Sequence, residues 1–213
     1  MTRRRALCVG GPPALHDSLA AAYAAQEIDL AVVAEPLVGA ALEARRSVDE
    51  DSDILVWAAF VPSDARFGSV TVPAVEAYLE RTVFSAVQTA QACLRGMERR
   101  RWGRILALTN MAGHLGDEDI LASIASGAIE GFVRSVAREG PRKGVTANAL
   151  VIGQIEGWDA ACSRISRPFY EMYYPFREPF TVADLATTIV ELTTSKAARI
   201  NGQVIGFDGG TIL

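Results

Sequence analysis

GRILALTNMAG, Gly103 to Gly113, decides the fold. After its first residue the run Arg104 to Leu108 (RILAL) is apolar at every position. A strand with one wet face would alternate, so this one is predicted to be covered on both sides. Upstream, Pro73 to Arg100 carries Val75, Leu79, Val83, Phe84, Val87, Ala90 and Leu94 at spacings of three and four, which predicts a long helix. Downstream, Leu121 to Arg138 predicts a second long helix and Thr146 to Val151 another covered strand. Helices that alternate with covered strands give a parallel sheet clothed on both faces.

The same alternation extends to both ends. Ala6 to Val9 predicts a first strand, closed by Gly10-Gly11-Pro12-Pro13, and Ala14 to Gln26 a helix. Leu30 to Ala34 and Asp53 to Ala59 predict a second and a third buried strand. Pro36 to Asp51 between them is only weakly amphipathic. Val182 to Thr194 predicts a helix and Gln203 to Phe207 a last strand. The expectation is a single doubly wound, Rossmann-like α/β domain over 1–213, shortened between the second and third strands. No strand is expected to carry a buried charge.

At 213 residues, 50% hydrophobic and 22% charged, the chain can bury one sizeable core, and disorder is excluded. A net charge of -4 gives no reason to expect nucleic acid, although arginines cluster at Arg3 to Arg5 and Arg99 to Arg101. Cys8, Cys93 and Cys162 lie far apart, without disulfide or metal spacing. No apolar run reaches the about 18 residues of a membrane span, and a reducing cytoplasm is expected.

GRILALTNMAG, SGAIEGFVRSVARE (Ser126 to Glu139), GVTANALVIG (Gly144 to Gly153) and NGQVIGFDGG (Asn201 to Gly210), in this order, resemble the short-chain dehydrogenase/reductase superfamily. The resemblance covers most of the chain and implies a nicotinamide-dependent oxidoreductase scaffold. It also implies working parts that are missing here. In the cofactor turn Gly10 matches the first glycine, but Ala14 and His16 stand at the second and third, and Pro12 and Pro13 between them lack an N–H. Glu35 ends the second strand, where the superfamily often has an acid for the ribose hydroxyls. Trp57 and Phe60, in the turn after the third strand, are expected to fill space left for nucleotide.

The resemblance places the catalytic tyrosine at Ala122, the lysine at Ser126, the serine at Asn110 and the helical asparagine at Thr82. Ile152 takes the place of a proline, and Gly157 that of a threonine at the nicotinamide amide. Alanine has no ionisable atom and serine no charge, so neither general acid catalysis nor activation of a phenol is available at those positions. The expectation is therefore a non-catalytic subunit that binds no cofactor itself. It would assemble with an active sister reductase, which carries NAD(P), through helices 73–100 and 121–138. A 3-hydroxyacyl-CoA or benzylsuccinate-type β-oxidation dehydrogenase is a candidate setting. No metal is expected.

Two other readings stand beside it. His114, Asp117, Glu118 and Asp119 follow Asn110 and supply acid–base groups for non-redox chemistry, or the vacant cleft serves a small-molecule sensor. The aromatic stretch with Phe169, Tyr170, Tyr173, Tyr174, Phe176 and Phe180 reads as an interface anchor or a plug over the cleft. Tyr173 or Tyr174 could also be a displaced catalytic tyrosine, although no lysine lies near.

Overall fold

The computed structural model describes residues 3–37, 39, 50–61, 63–158, 178–194 and 199–211. β1 (Arg4–Gly10), β2 (Ile28–Val33), β3 (Ile54–Ala58), β4 (Gly103–Asn110), β5 (Val145–Ile152) and β6 (Val204–Phe207) form one sheet in the order β2-β1-β3-β4-β5-β6. Every pairing is parallel. β4 is buried along its whole length, with Leu106 opposite Val56 on one side and Asn148 on the other.

α1 (Pro13–Ala24) and α6 (Val182–Thr193) cover one face, where Leu15, Leu19, Leu185 and Ile189 pack on Cys8, Val56, Leu106 and Leu150. The Tyr23 and Thr193 hydroxyls join the two helices at 2.8 Å. α3 (Ser85–Arg100) and α5 (Ile120–Glu139) cover the other face through Cys93, Met97, Ile129 and Val133. This is the doubly wound Rossmann-like architecture expected.

α5 has the length and mean hydropathy, 1.4, of a membrane span. Its apolarity has a local cause: Leu121, Ala125, Ile129, Val133 and Ala137 form a buried stripe, and the same helix carries Glu130, Arg134 and Arg138. Asp119 starts it, its Oδ1 accepting from the Leu121 and Ala122 amides at 3.1 and 3.4 Å.

The structure corrects the sequence reading in three places. Among the described residues β2 is an edge strand, and Ala31 and Val32 on it are exposed. The helix expected over 73–100 is interrupted: α2 (Val72–Leu79) passes into α3 through a π-helical turn at Glu80–Phe84. There the Thr82 hydroxyl donates to the Tyr78 carbonyl at 2.7 Å, the side-chain bond that competes with the regular ladder. β4 does hold a buried charge, Arg104, whose guanidinium stacks 4.5 Å from the Trp102 ring, with Arg4 over the same ring at 3.8 Å. The apolar indole accepts both cations, which is why a charge is tolerated at the strand's first turn of burial.

Candidate functional site

The chain leaves β1 for β2 on one side and later returns to β3 on the other. The carboxyl ends of β1 and β3 therefore part at a topological switch point, where open α/β sheets take their ligands. Gly10 and Gly11 turn the chain there with φ of +80° and +89°, values that favour glycine. A Cβ on Gly10 would lie 2.5 Å from the Ala59 Cα, so the close approach of the two strand ends also requires glycine.

α1 begins directly after this turn. Pro12 and Pro13 contribute no N–H, and the Leu15 and His16 amides donate to the Pro12 carbonyl at 2.9 and 3.3 Å. Ala14, exposed, is left as the first-turn amide without a backbone acceptor. The half-buried His16 ring folds back and its Nε2 donates to the Gly10 carbonyl at 2.8 Å. Glu35, exposed, faces Arg81 at 4.0 Å. Trp57 is 2% exposed and packs among Leu7, Val9 and Leu55 beneath α3 and α5. Alternation along β3 turns its side chain into that layer. Phe60 does stand at the crevice, edge-on to Trp158 with ring centroids 5.4 Å apart.

Beside the switch point, a small cleft opens at the carboxyl end of β4. Trp57, Phe60, Tyr78, Thr82, Asn110, Ala122 and Ser126 are among the residues that line it. The structure thus brings together Thr82, Asn110, Ala122 and Ser126, which the sequence had picked out separately. Gly157 sits apart in an exposed turn at φ +74°, and Ile152 is fully buried at the end of β5.

Asn110 organises the polar wall. Its Oδ1 accepts from the Ser126 hydroxyl at 2.9 Å and from the Ala112 amide at 3.1 Å, which ties β4 to α5 and to the short helix α4 (Ala112–Leu115). Its Nδ2 has no acceptor among the described residues and is not sealed from solvent. An amide donor held in place by two bonds at its own oxygen is suited to meeting a ligand's oxygen.

A second polar group lies behind. Glu130, 4% exposed, accepts from His114 Nε2 at 2.9 Å and from the Thr109 hydroxyl at 3.4 Å. His114 therefore does not join Asp117, Glu118 and Asp119, as the acid–base reading expected. Asp119 caps α5, Asp117 accepts from the Asp119 amide, and Glu118 pairs with Arg66. Glu130 went unnoticed in the sequence because it looks like one more charge on a long helix.

Tyr78 also escaped the sequence reading. It lies one helical turn before Thr82, and its ring packs on Leu121 and Ala125 at the start of α5. Its hydroxyl donates to the Val61 carbonyl at 2.9 Å. Burial first, and then the charge of Asp119, raise its pKa above the ordinary phenol value, so the phenol keeps its proton. Tyr173 and Tyr174, with Phe169, Tyr170 and Phe176, lie outside the described residues, as do residues 40–49 of the weakly amphipathic stretch.

The all-parallel sheet order and the crevice at its switch point define a doubly wound, Rossmann-like α/β scaffold. The family model described as Enoyl-(Acyl carrier protein) reductase matches residues 14–211, and the chain belongs to that family, within the short-chain dehydrogenase/reductase superfamily. It is 30% identical over 162 residues to the 3-oxoacyl-[acyl-carrier-protein] reductase MabA of Mycobacterium tuberculosis, a match covering 74% of this chain and 65% of that protein. It is 26% identical over 188 residues to the reductase FabG of Aquifex aeolicus, covering 87% and 76%. It is 30% identical over 175 residues to nodulation protein G of Rhizobium meliloti, covering 80% and 71%. The chain spans just under two thirds, 65%, of the length of the mycobacterial relatives it matches.

These relatives overturn two expectations. The expectation of a non-catalytic subunit dependent on a sister, and with it the non-redox and sensor readings, is overturned, because the matched proteins are named as reductases and the family model carries the same description. The absence of a cofactor on this chain falls with it, since reduction needs a carrier of electrons. The substitutions at 14, 16, 122 and 126 had suggested otherwise. They add side chains at 14 and 16 and remove them at 122 and 126, whereas the sheet, the Gly10–Gly11 turn and the cleft are present. A dinucleotide pyrophosphate would lie at the amino end of α1, where the turn offers fewer amides than the superfamily's usual loop and the His16 ring stands at its mouth.

Proposed function

We propose that this chain is a carbonyl reductase acting on a 3-oxoacyl thioester, with a site rebuilt around Asn110 and Ser126. The observation that carries the reading is the free Asn110 Nδ2 donor in the cleft beside the switch point. The substrate class is supported by the names of the relatives. A nicotinamide dinucleotide, when bound, supplies hydride. The Gly10–Gly11 turn and the Ala14 amide would hold its pyrophosphate.

Within this site Asn110 orients the substrate by donating from Nδ2 to the carbonyl oxygen, and the same bond favours the alkoxide as charge develops there. Ser126 and the Ala112 amide hold the Asn110 oxygen, so the donor is fixed before substrate arrives. Phe60, Trp57 and Ile129 keep the wall apolar, which strengthens that hydrogen bond.

The test is turnover of a 3-oxoacyl N-acetylcysteamine thioester by the purified chain with NADPH and with NADH, read by loss of the reduced nicotinamide's absorbance. Turnover is expected, and Asn110→Ala should lower kcat by about 100-fold, the cost of removing one preorganised donor. An inert unaltered protein sinks the reading. As part of the same reading, residues 73–100 and 121–138 meet a second reductase subunit. Phe84 and Ile124, 54% and 41% exposed on those helices, support this assembly face.

A further inference from the structure

The two ends of β4 carry different chemistry. Asn110 stands at the carboxyl end, beside the cleft; Arg104 stands at the amino end, roughly 20 Å away along the strand. Arg104 is only 5% exposed, yet part of its donor set is unused. Its Nη1 donates to the Gly103 and Gly144 carbonyls at 2.7 and 3.3 Å, which fixes the plane of the guanidinium. Its Nε is sealed from solvent and has no acceptor. Its Nη2 has none among the described residues either, and is not sealed. A buried charged donor left without an acceptor is rare and costly. The Nε–H and the Nη2–H beside it form the fork that grips an oxyanion through two parallel hydrogen bonds. We propose that this corner, at the amino end of the sheet, binds a phosphate-type dianion, gripped by the Nε–Nη2 edge of Arg104 and neutralised by Arg104 and Arg4 together.

The charge around the corner is unbalanced. Arg4 lies over the Trp102 ring at 3.8 Å and Arg104 over the same ring at 4.5 Å. The indole stabilises both cations but has no oxygen to accept from them. Nearby cations each have a carboxylate: Arg3 pairs with Asp29, Arg5 with Asp51, Arg100 with Asp53 and Lys143 with Glu98. Among the described residues Arg4 and Arg104 have none. Burial first, and then the charge of Arg4, lower the Arg104 pKa from its ordinary value, as expected for two like charges without a counter-ion. Two unbalanced cations suit a dianion better than a single carboxylate. The dipole of α3 accounts for arginines at its carboxyl end, Arg99 to Arg101, but not for Arg4 and Arg104, which lie on strands. Arg4 and Trp102 are half-buried, so the corner is open on their side. The site is independent of the reductase reading, because the cleft and the glycine turn lie at the other end of the strands.

Titration of the whole chain with inorganic phosphate decides it, at mildly alkaline pH and with ionic strength held constant by sodium chloride. In a proton–nitrogen spectrum that resolves arginine Nε–H groups, one resonance, missing from Arg104→Lys, should move downfield and saturate. Arg104→Lys keeps the charge and loses the fork. Arg4→Gln, at a half-buried position, keeps the fork and loses the second charge, and it stands as the test by itself if lysine at 104 does not fold. Each variant should weaken phosphate by about tenfold or more, the loss expected for a charge-assisted contact. Glycerol 3-phosphate, titrated in parallel, separates the sources. Binding tighter than phosphate marks a site for the phosphate group of a larger molecule, binding no tighter marks one for the free ion, and both support the proposal. Acetate bound as tightly as phosphate overturns the dianion. An unmoved resonance, or a phosphate affinity unchanged in Arg4→Gln, as binding at the glycine turn would give, overturns the site itself.

Discussion

His16 shows how one side chain can alter a site without disturbing the fold around it. Its ring sits at the mouth of the glycine turn, bonded to the Gly10 carbonyl, where a pyrophosphate would approach. Removing the ring leaves the buried Gly10 carbonyl with the Cys8 thiol at 3.7 Å and frees room beside Gly11, whose added Cβ would meet Nε2 at 3.7 Å. We therefore expect His16→Gly to tighten NADPH binding by about tenfold, or about 1.4 kcal/mol, in titration calorimetry. Weaker affinity would show that the imidazole helps to hold the phosphates, and unchanged affinity that it does not meet them. At this scale the sequence was only partly legible. Asn110, Ser126, Thr82 and Ala122 stood out through phrases that fix their positions, and the structure gathers them in one cleft. Tyr78 and Glu130 did not. Each lies on a helix whose pattern explains it as packing or solvated charge, and only the fold sets Tyr78 against the start of α5 and Glu130 against His114.

Among the elements, covered strands and long helices were readable because burial on both faces leaves continuous apolar runs. β2 was misread for the same reason: Leu30 to Ala34 is as apolar as a central strand, and nothing local records that no described strand lies beyond it. The break in the long helix was hidden too, since a threonine that bonds its own backbone resembles any other. The outward faces of the π-helical turn and of α5 lead to a further expectation. Phe84 and Ile124 present apolar side chains to solvent where the assembly face is proposed. Phe84→Glu with Ile124→Glu should convert the assembled protein to monomer in sedimentation velocity, with its melting temperature nearly unchanged. A pair of charges that leaves the sedimentation coefficient unaltered would remove this face from consideration.

For the molecule as a whole, the core sets a limit at high pH. Burial pushes the Cys8 thiol from 9.0 up to about 12, and burial also raises Tyr23 and Tyr78. Each folded group holds its proton more tightly than the unfolded chain does. Their contribution to stability is full below the unfolded values and is lost as pH rises toward the folded ones. Between pH 9.0 and about 12 each pH unit should cost at most about 1.4 kcal/mol per such group. Urea midpoints should fall across that window, and Cys8→Ala should flatten the early part of the fall. A midpoint independent of pH there would contradict the burial of these groups.

The strand order has a kinetic side as well. β1 lies in the sheet between β2 and β3, yet β3 is made some forty residues of chain later, at Ile54, and β4 later still, at Gly103. No strand pairs with another through a tight hairpin, so every ladder must wait for a long crossover to close. Such a chain meets its loop-closure entropy before its reward. Refolding from denaturant should accordingly proceed in milliseconds to seconds rather than microseconds, with its helices outpacing the sheet that finally positions them.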